Sequence, residues 1–124
     1  MSNSREATTA ENKKHIERRV QEIGGDLGLE GLTTEWEDPQ DKTTGTYNLS
    51  VHVAEHNPVV IPFSARDLGW KTYYPEEGED VEAFLEDEKK WRPESYDRKQ
   101  RWDKQIRQAL KGFGQSNNPI GFSS

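Results

Sequence analysis

The stretch TYNLSVHVA, residues 46–54, decides the fold of this chain because apolar and polar residues alternate along its whole length. Successive residues of a strand point to opposite faces of a sheet, so such a stretch has one apolar and one polar face. The apolar residues are Tyr47, Leu49, Val51 and Val53, and the polar ones are Asn48, Ser50 and His52. The pattern predicts a strand with one face in a core and the other in water.

Two shorter stretches on either side predict two further strands. Residues 59–63 (VVIPF) are wholly apolar and follow the turn residues 55–58 (EHNP), which predicts a hairpin with the alternating strand. Pro62 lacks a backbone donor and therefore favours a position at a sheet edge. Residues 32–36 (LTTEW) are rich in strand-forming residues and end just before the turn sequence at Asp38.

A helix is predicted before the strands. Thr8 and Glu11 form the T-x-x-E pattern of a capping box, which marks a helix start. Apolar residues then recur along one helical face, namely Ile16, Val20, Ile23 and Leu27. The pair Gly24-Gly25 predicts the helix end, with Leu27 in the exit turn.

Two helices are predicted after the strands. Asp80 is suited to cap the first, which reaches Trp91 before Pro93 interrupts it. Ser95 is then suited to start a longer helix that ends at the glycines near residue 112. Its apolar stripe comprises Trp102, Ile106, Ala109, Leu110 and Phe113.

The resulting α-β-β-β-α order predicts a single small α+β domain, with a small antiparallel sheet packed against N- and C-terminal helices. We assign residues 9–113 to this domain, 1–8 to a disordered N-terminal tail and 114–124 to a flexible C-terminal tail, because both ends lack periodic apolar positions. The predicted core comprises Ile16, Val20, Ile23, Trp36, Tyr47, Leu49, Val51, Val53, Val60, Phe63, Phe84, Leu85, Trp102, Ile106 and Leu110.

The order of elements resembles that of double-stranded-RNA-binding domains. That family carries a basic signature at the start of its last helix, and here residues 93–95 (PES) stand in the matching place. The likeness is therefore one of element order, and it implies no shared function.

Composition narrows the class of protein. The 124 residues are only 30% apolar and 32% charged, so the core is small, and four Trp, four Tyr and four Phe provide much of its bulk. With no cysteine, disulfides and thiolate metal sites are excluded. We find no secretory signal and no apolar run of about 20 residues, and we therefore expect a cytoplasmic protein without a membrane segment or cofactor.

The charge reverses sign between residues 76–88 and 89–111. The first segment carries eight acids and no base, and the second carries nine bases and three acids, in a chain of net charge −6. Segregated charge of this kind favours binding to a charged partner. The predicted partner-binding acidic face comprises Glu76, Glu77, Glu79, Asp80, Glu82, Glu86 and Asp87.

This pattern leads to two hypotheses for a non-enzymatic protein. The first is a protein-binding domain, an acidic accessory or inhibitor protein of the phage or mobile-element kind, whose carboxylates stand in for phosphates on a nucleic-acid-handling machine. The alternative is a nucleic-acid-binding module that uses the basic C-terminal helix, with Trp91 and Tyr96 available for stacking. Its possible phosphate-binding residues are Arg98, Lys99, Arg101, Lys104, Arg107 and Lys111. The sequence leaves the oligomeric state open.

A third hypothesis is a metal-dependent hydrolase at residues 52–56 (HVAEH). They match the H-x-x-E-H pattern of inverted zinc proteases, in which a helix brings two histidines together on the metal. Here the pattern ends a predicted strand and enters a turn, so surface histidines are the preferred interpretation of His52 and His56. Since no P-loop, G-x-S-x-G or cysteine nucleophile is present either, we expect no catalysis.

Overall fold

A three-stranded antiparallel sheet in the order β1-β2-β3 forms one layer of the protein. The computed structural model describes the backbone of residues 2–121 and the side chains of residues 5–113. Its elements are α1 (Ser2–Asp26), β1 (Thr33–Glu37), β2 (Thr46–His52), β3 (Val59–Ser64), α2 (Ala65–Leu68), α3 (Val81–Trp91) and α4 (Pro93–Gly121). The predicted α+β class and the hairpin of β2 and β3 are confirmed.

The central strand β2 alternates as its sequence predicts. Leu49 faces the core and lies opposite Trp36 on one side and Ile61 on the other. Pro62 lies on the edge strand β3, where a missing backbone donor is tolerated. The prediction that Val60 belongs to the core is wrong, because Val60 alternates with the buried Ile61 and is 54% exposed.

One core joins the inner face of the sheet to α1 and α4. The predicted apolar stripes of both helices are fully buried at their centres, for example at Ile16 and Ile106. Phe84 and Leu85 of α3 are only half-buried, so α3 contributes less to the core than predicted. The buried apolar residues are Ile16, Val20, Ile23, Tyr47, Leu49, Val51, Val53, Ile61, Phe63, Ala65, Leu68, Trp102, Ile106, Leu110 and Phe113.

The long helices extend beyond their predicted ends. The helix α1 begins at Ser2, before the capping box, and Arg5 donates hydrogen bonds to the carbonyl oxygens of Thr43 and Ala65 at 3.4 and 3.3 Å. The helix α4 begins at Pro93, whose fixed φ suits a first helical position, and it runs to Gly121. The side chains of residues 114–124, which the sequence analysis assigns to a flexible tail, lie outside the described residues.

Within the described part of the chain, no helix is both long and apolar enough to span a membrane.

Candidate interaction surfaces

The seven residues of the predicted acidic face are all exposed, and they lie in the loop before α3 and along α3 itself. Asp80 caps the helix by accepting hydrogen bonds from the backbone N–H groups of Glu82 and Ala83 at 3.0 and 3.3 Å. Glu79 accepts one from the backbone of Glu76 at 2.7 Å. Among the side chains of residues 5–113, none of the seven carboxylates pairs with a base. Their negative charge therefore faces solvent uncompensated.

The chain between α2 and α3 has no regular structure, and a buried asparagine of α1 holds its first part. The Asn12 side-chain nitrogen donates to the carbonyl oxygens of Leu68 and Trp70 at 2.9 and 3.1 Å. The Tyr74 hydroxyl donates to the Asn12 side-chain oxygen at 2.5 Å. Burial raises the pKa of Tyr74, which keeps this phenol a donor.

Two basic residues of α4 also bond to the chain between α2 and α3, at residues 71–73. Arg98 donates to the Thr72 hydroxyl at 3.1 Å and to the Lys71 carbonyl oxygen at 2.7 Å. The Lys99 ammonium donates to the Tyr73 carbonyl oxygen at 2.5 Å. Residues 71–73 are thus tied to α4 through both backbone and side-chain groups.

A buried ion pair joins α3 to α4 beneath the acidic face. The Glu88 carboxylate lies 2.9 Å from the Lys99 ammonium, and both side chains are almost fully buried. Ser95 donates its hydroxyl proton to the same carboxylate and accepts a hydrogen bond from the Tyr73 backbone at 3.0 Å. Ser95 therefore acts inside the protein instead of capping α4 as the sequence predicts. Glu88, the one acid of residues 76–88 outside the predicted face, is also the one that is buried.

The six predicted phosphate-binding residues divide into two groups. Arg98 and Lys99 are buried, and their donors are occupied as described above. The exposed group lies on the side of α4 away from the core and comprises Arg101, Lys104, Arg107 and Lys111. Helical periodicity could have separated the groups, because Arg98 precedes the buried Trp102 by one helical turn.

The H-x-x-E-H segment lies at a strand end and in a turn. His52 is exposed as the last residue of β2, and Glu55 has a positive φ of 68°. His56 packs edge-on against the Phe113 ring, with centroids 5.5 Å apart. The helical geometry that a zinc protease requires is therefore not present here. No group of three or more potential metal ligands is found among the residues that the structure describes.

A half-buried histidine with two buried ring nitrogens, which the sequence does not single out, lies beside the acidic loop. The His15 ring lies 4.7 Å from the Tyr74 ring between centroids, and neither ring nitrogen has a hydrogen-bond partner among the residues whose side chains the structure describes. Burial, and then the charges of Lys99 and Arg18, lower its pKa to about 4. His15 lines an open pocket of about 620 Å³ whose outer wall includes Glu76 and two other acids of the loop. No periodic signal sets His15 apart, because its neighbours come from distant parts of the chain.

Two tryptophans are exposed near the junction of α3 and α4. Trp91 is 72% and Trp70 is 54% exposed, and both line an open pocket of about 440 Å³. The Arg92 guanidinium lies 3.8 Å from the centroid of the Tyr73 ring in this pocket. We call this surface the aromatic–basic patch, comprising Trp70, Lys71, Tyr73, Lys90, Trp91 and Arg92. Tyr96, the other predicted stacking residue, is half-buried beside Lys89.

Comparisons with protein-family models, curated proteins and solved structures found no significant match. Function is therefore inferred from the chemistry of these surfaces.

Proposed function

We propose that this chain is a non-enzymatic binding protein whose acidic face docks onto a positively charged surface of another protein. The observation that carries the proposal is the exposure of seven carboxylates without a basic partner among the described side chains. Two bases of the segment that follows, Arg98 and Lys99, are buried and bonded inside the protein, and the exposed Lys89, Lys90 and Arg92 form no ion pair with these acids among the described side chains. A face of this kind attracts a basic partner and accelerates the encounter with it.

The framework beneath the acidic face supports the same proposal. The loop is tied to α1 through Asn12 and to α4 through Arg98, and α3 is tied to α4 through Glu88. Acids on a framework that is already ordered lose little conformational freedom when a partner binds. Flexible acids would attract a basic partner equally at long range but would lose more entropy in the complex.

The partner class that fits best is a nucleic-acid-handling protein. Its binding groove is positively charged because it holds phosphates, and carboxylates spaced along a loop and a helix can occupy the same positions. The chain would then act as an accessory or inhibitory protein of the phage or mobile-element kind, in the cytoplasm. A cysteine-free sequence is compatible with this reducing compartment.

A capture and displacement experiment tests this partner class. The immobilised protein is incubated with lysate of its native host, and the captured protein is identified by mass spectrometry and then purified. We expect a nucleic-acid-binding protein, and we expect duplex DNA or RNA to compete with this chain for it. A purified partner that holds duplex nucleic acid in its groove and this chain at the same time would contradict the mimicry.

A further inference from the structure

The aromatic–basic patch adjoins the acidic face but shares no residue with it, and its tryptophans lie outside the buried core. Large aromatic residues usually bury most of their surface, yet Trp70 and Trp91 leave more than half of theirs in water and line the same pocket. Neither indole belongs to the buried core. Two exposed indoles at one pocket indicate a binding surface.

The floor of the pocket is ordered in advance. Tyr73 is fixed through its backbone, which donates to Ser95 and accepts from Lys99. The Arg92 guanidinium carbon lies 3.8 Å from the centroid of the Tyr73 ring, which is a cation–π contact. The pocket therefore presents flat surfaces in fixed positions to a ligand.

The charge of the patch is positive. Lys71 and Lys90 lie 5.4 and 5.3 Å from the Tyr73 and Trp91 ring centroids, respectively. Neither these lysines nor Arg92 pairs with a carboxylate among the described side chains. One acid, Glu94, also lines the pocket, and Glu79 and Asp87 of the acidic face line the neighbouring pocket that Trp91 and Arg92 share.

We propose that the aromatic–basic patch binds single-stranded nucleic acid. Bases stack on Trp70 and Trp91, and backbone phosphates contact Lys71, Lys90 and Arg92. A single strand exposes the faces of its bases, whereas a duplex buries them between base pairs. A proline-rich peptide also binds aromatic grooves, but it carries no charge that would need three cations.

Fluorescence anisotropy with a labelled oligo(dT) of about 15 nucleotides at low salt tests the proposal. The double variant Trp70→Ala/Trp91→Ala is expected to weaken binding by about tenfold or more for each indole removed. The variant Lys71→Gln/Lys90→Gln is expected to reduce the slope of log affinity against log salt by about 1.4. The matched control Lys104→Gln/Lys111→Gln, on the outer side of α4, is expected to bind like the parent.

Four results would overturn the proposal. The first is that the parent protein does not bind the oligonucleotide at low salt, and the second is that the tryptophan variant binds it as tightly as the parent. The third is that the α4 control loses as much affinity as the variants of the patch. The fourth is that the patch binds a proline-rich peptide in place of the oligonucleotide. If the alanine variant does not fold, Trp70→Leu/Trp91→Leu replaces it, because leucine keeps apolar bulk but has no ring on which a base can stack, and a loss of less than twofold then counts against stacking. The acidic face is intact in every variant, so a negative result here leaves its proposed role untouched.

Heparin separates stacking from simple charge attraction. It is a polyanion without bases, and on this proposal it competes weakly with the oligonucleotide at equal charge concentration. Quenching of tryptophan fluorescence by the oligonucleotide but not by heparin is expected. Equal competition and no quenching by either ligand would show a charged surface only and would contradict the site.

Discussion

Ile106 lies in the middle of the apolar stripe of α4 and has no exposed surface. Replacing it with alanine removes buried methyl and methylene groups and leaves a cavity, so we expect a loss of about 2–5 kcal/mol in the free energy of unfolding. Urea denaturation measures this loss. Val60→Ala is the matched control, because Val60 is exposed on β3 and its change should stay within about 0.5 kcal/mol. Equal effects of the two changes would contradict the assigned core.

His15 makes stability depend on pH. The folded protein holds the pKa of His15 at about 4, while the unfolded chain has the ordinary value of 6.5. Between these values the unfolded state binds a proton that the folded state does not, so stability falls as pH falls from 6.5 to about 4. The loss approaches about 3 kcal/mol, because each pKa unit corresponds to about 1.4 kcal/mol.

A His15→Phe variant tests this dependence. Phenylalanine keeps a ring against Tyr74 and Trp102 and has no unpaired polar atoms, so we expect a flatter stability profile between pH 6.5 and 4. Urea denaturation at several pH values gives the profile. His52→Gln, at an exposed strand end, should keep the slope of the parent. If the parent is equally stable at pH 7 and pH 4.5, this role of His15 is wrong.

At the level of the elements, the ion pair of Glu88 and Lys99 fixes α3 on α4. Glu88→Gln leaves the Lys99 ammonium buried without its counter-charge, and we expect a loss of about 3–5 kcal/mol. The double variant Glu88→Gln/Lys99→Met removes both charges and should lose less stability than the sum of the losses in Glu88→Gln and Lys99→Met alone. A double-mutant cycle by urea denaturation measures this coupling. Additive effects would mean that the pair does not hold the two helices together.

Some features of the elements can be predicted from local sequence, and others cannot. The strand β2, the stripe of α4 and the Asp80 cap follow from local periodicity and side-chain chemistry, and the structure confirms all three. The sequence predicts Ser95 as a helix cap, but its side chain bonds to Tyr73 and Glu88, contacts that only the assembled fold creates. Local rules cannot find such partners, because they depend on which segments meet in the fold.

The two candidate surfaces also differ in whether the sequence predicts them, and the acidic face is the one that it does predict. Its exposed residues follow from charge segregation in the sequence, since a run of acids with few apolar residues faces water. The aromatic–basic patch could not be assembled from the sequence, because the chain from Trp70 to Trp91 is brought together by bonds from α1 and α4. Arg98 is predicted to bind phosphate, but it is buried because it lies one helical turn before Trp102, on the face that packs inward.

At the scale of the whole molecule, the charged residues that stabilise the fold are different from those proposed to bind a partner. The buried charges of Glu88, Arg98 and Lys99 hold the framework, and the exposed acids remain for a partner. Exposed charges usually change stability by less than about 0.5 kcal/mol each. Neutralising three of them should therefore leave the melting temperature close to that of the parent, as differential scanning calorimetry would show.

The most direct measurement compares two charge variants for binding to the captured partner by surface plasmon resonance at about 0.1 M salt. One variant is Glu82→Gln/Glu86→Gln/Asp87→Asn, on the acidic face. The other, of matched size, is Lys104→Gln/Arg107→Gln/Lys111→Gln, on the outer side of α4. We predict that the first lowers the association rate by at least about tenfold, and that the second binds at least as fast as the parent. Unchanged binding by the first variant, or a comparable loss in the second, would contradict the acidic face as the docking surface.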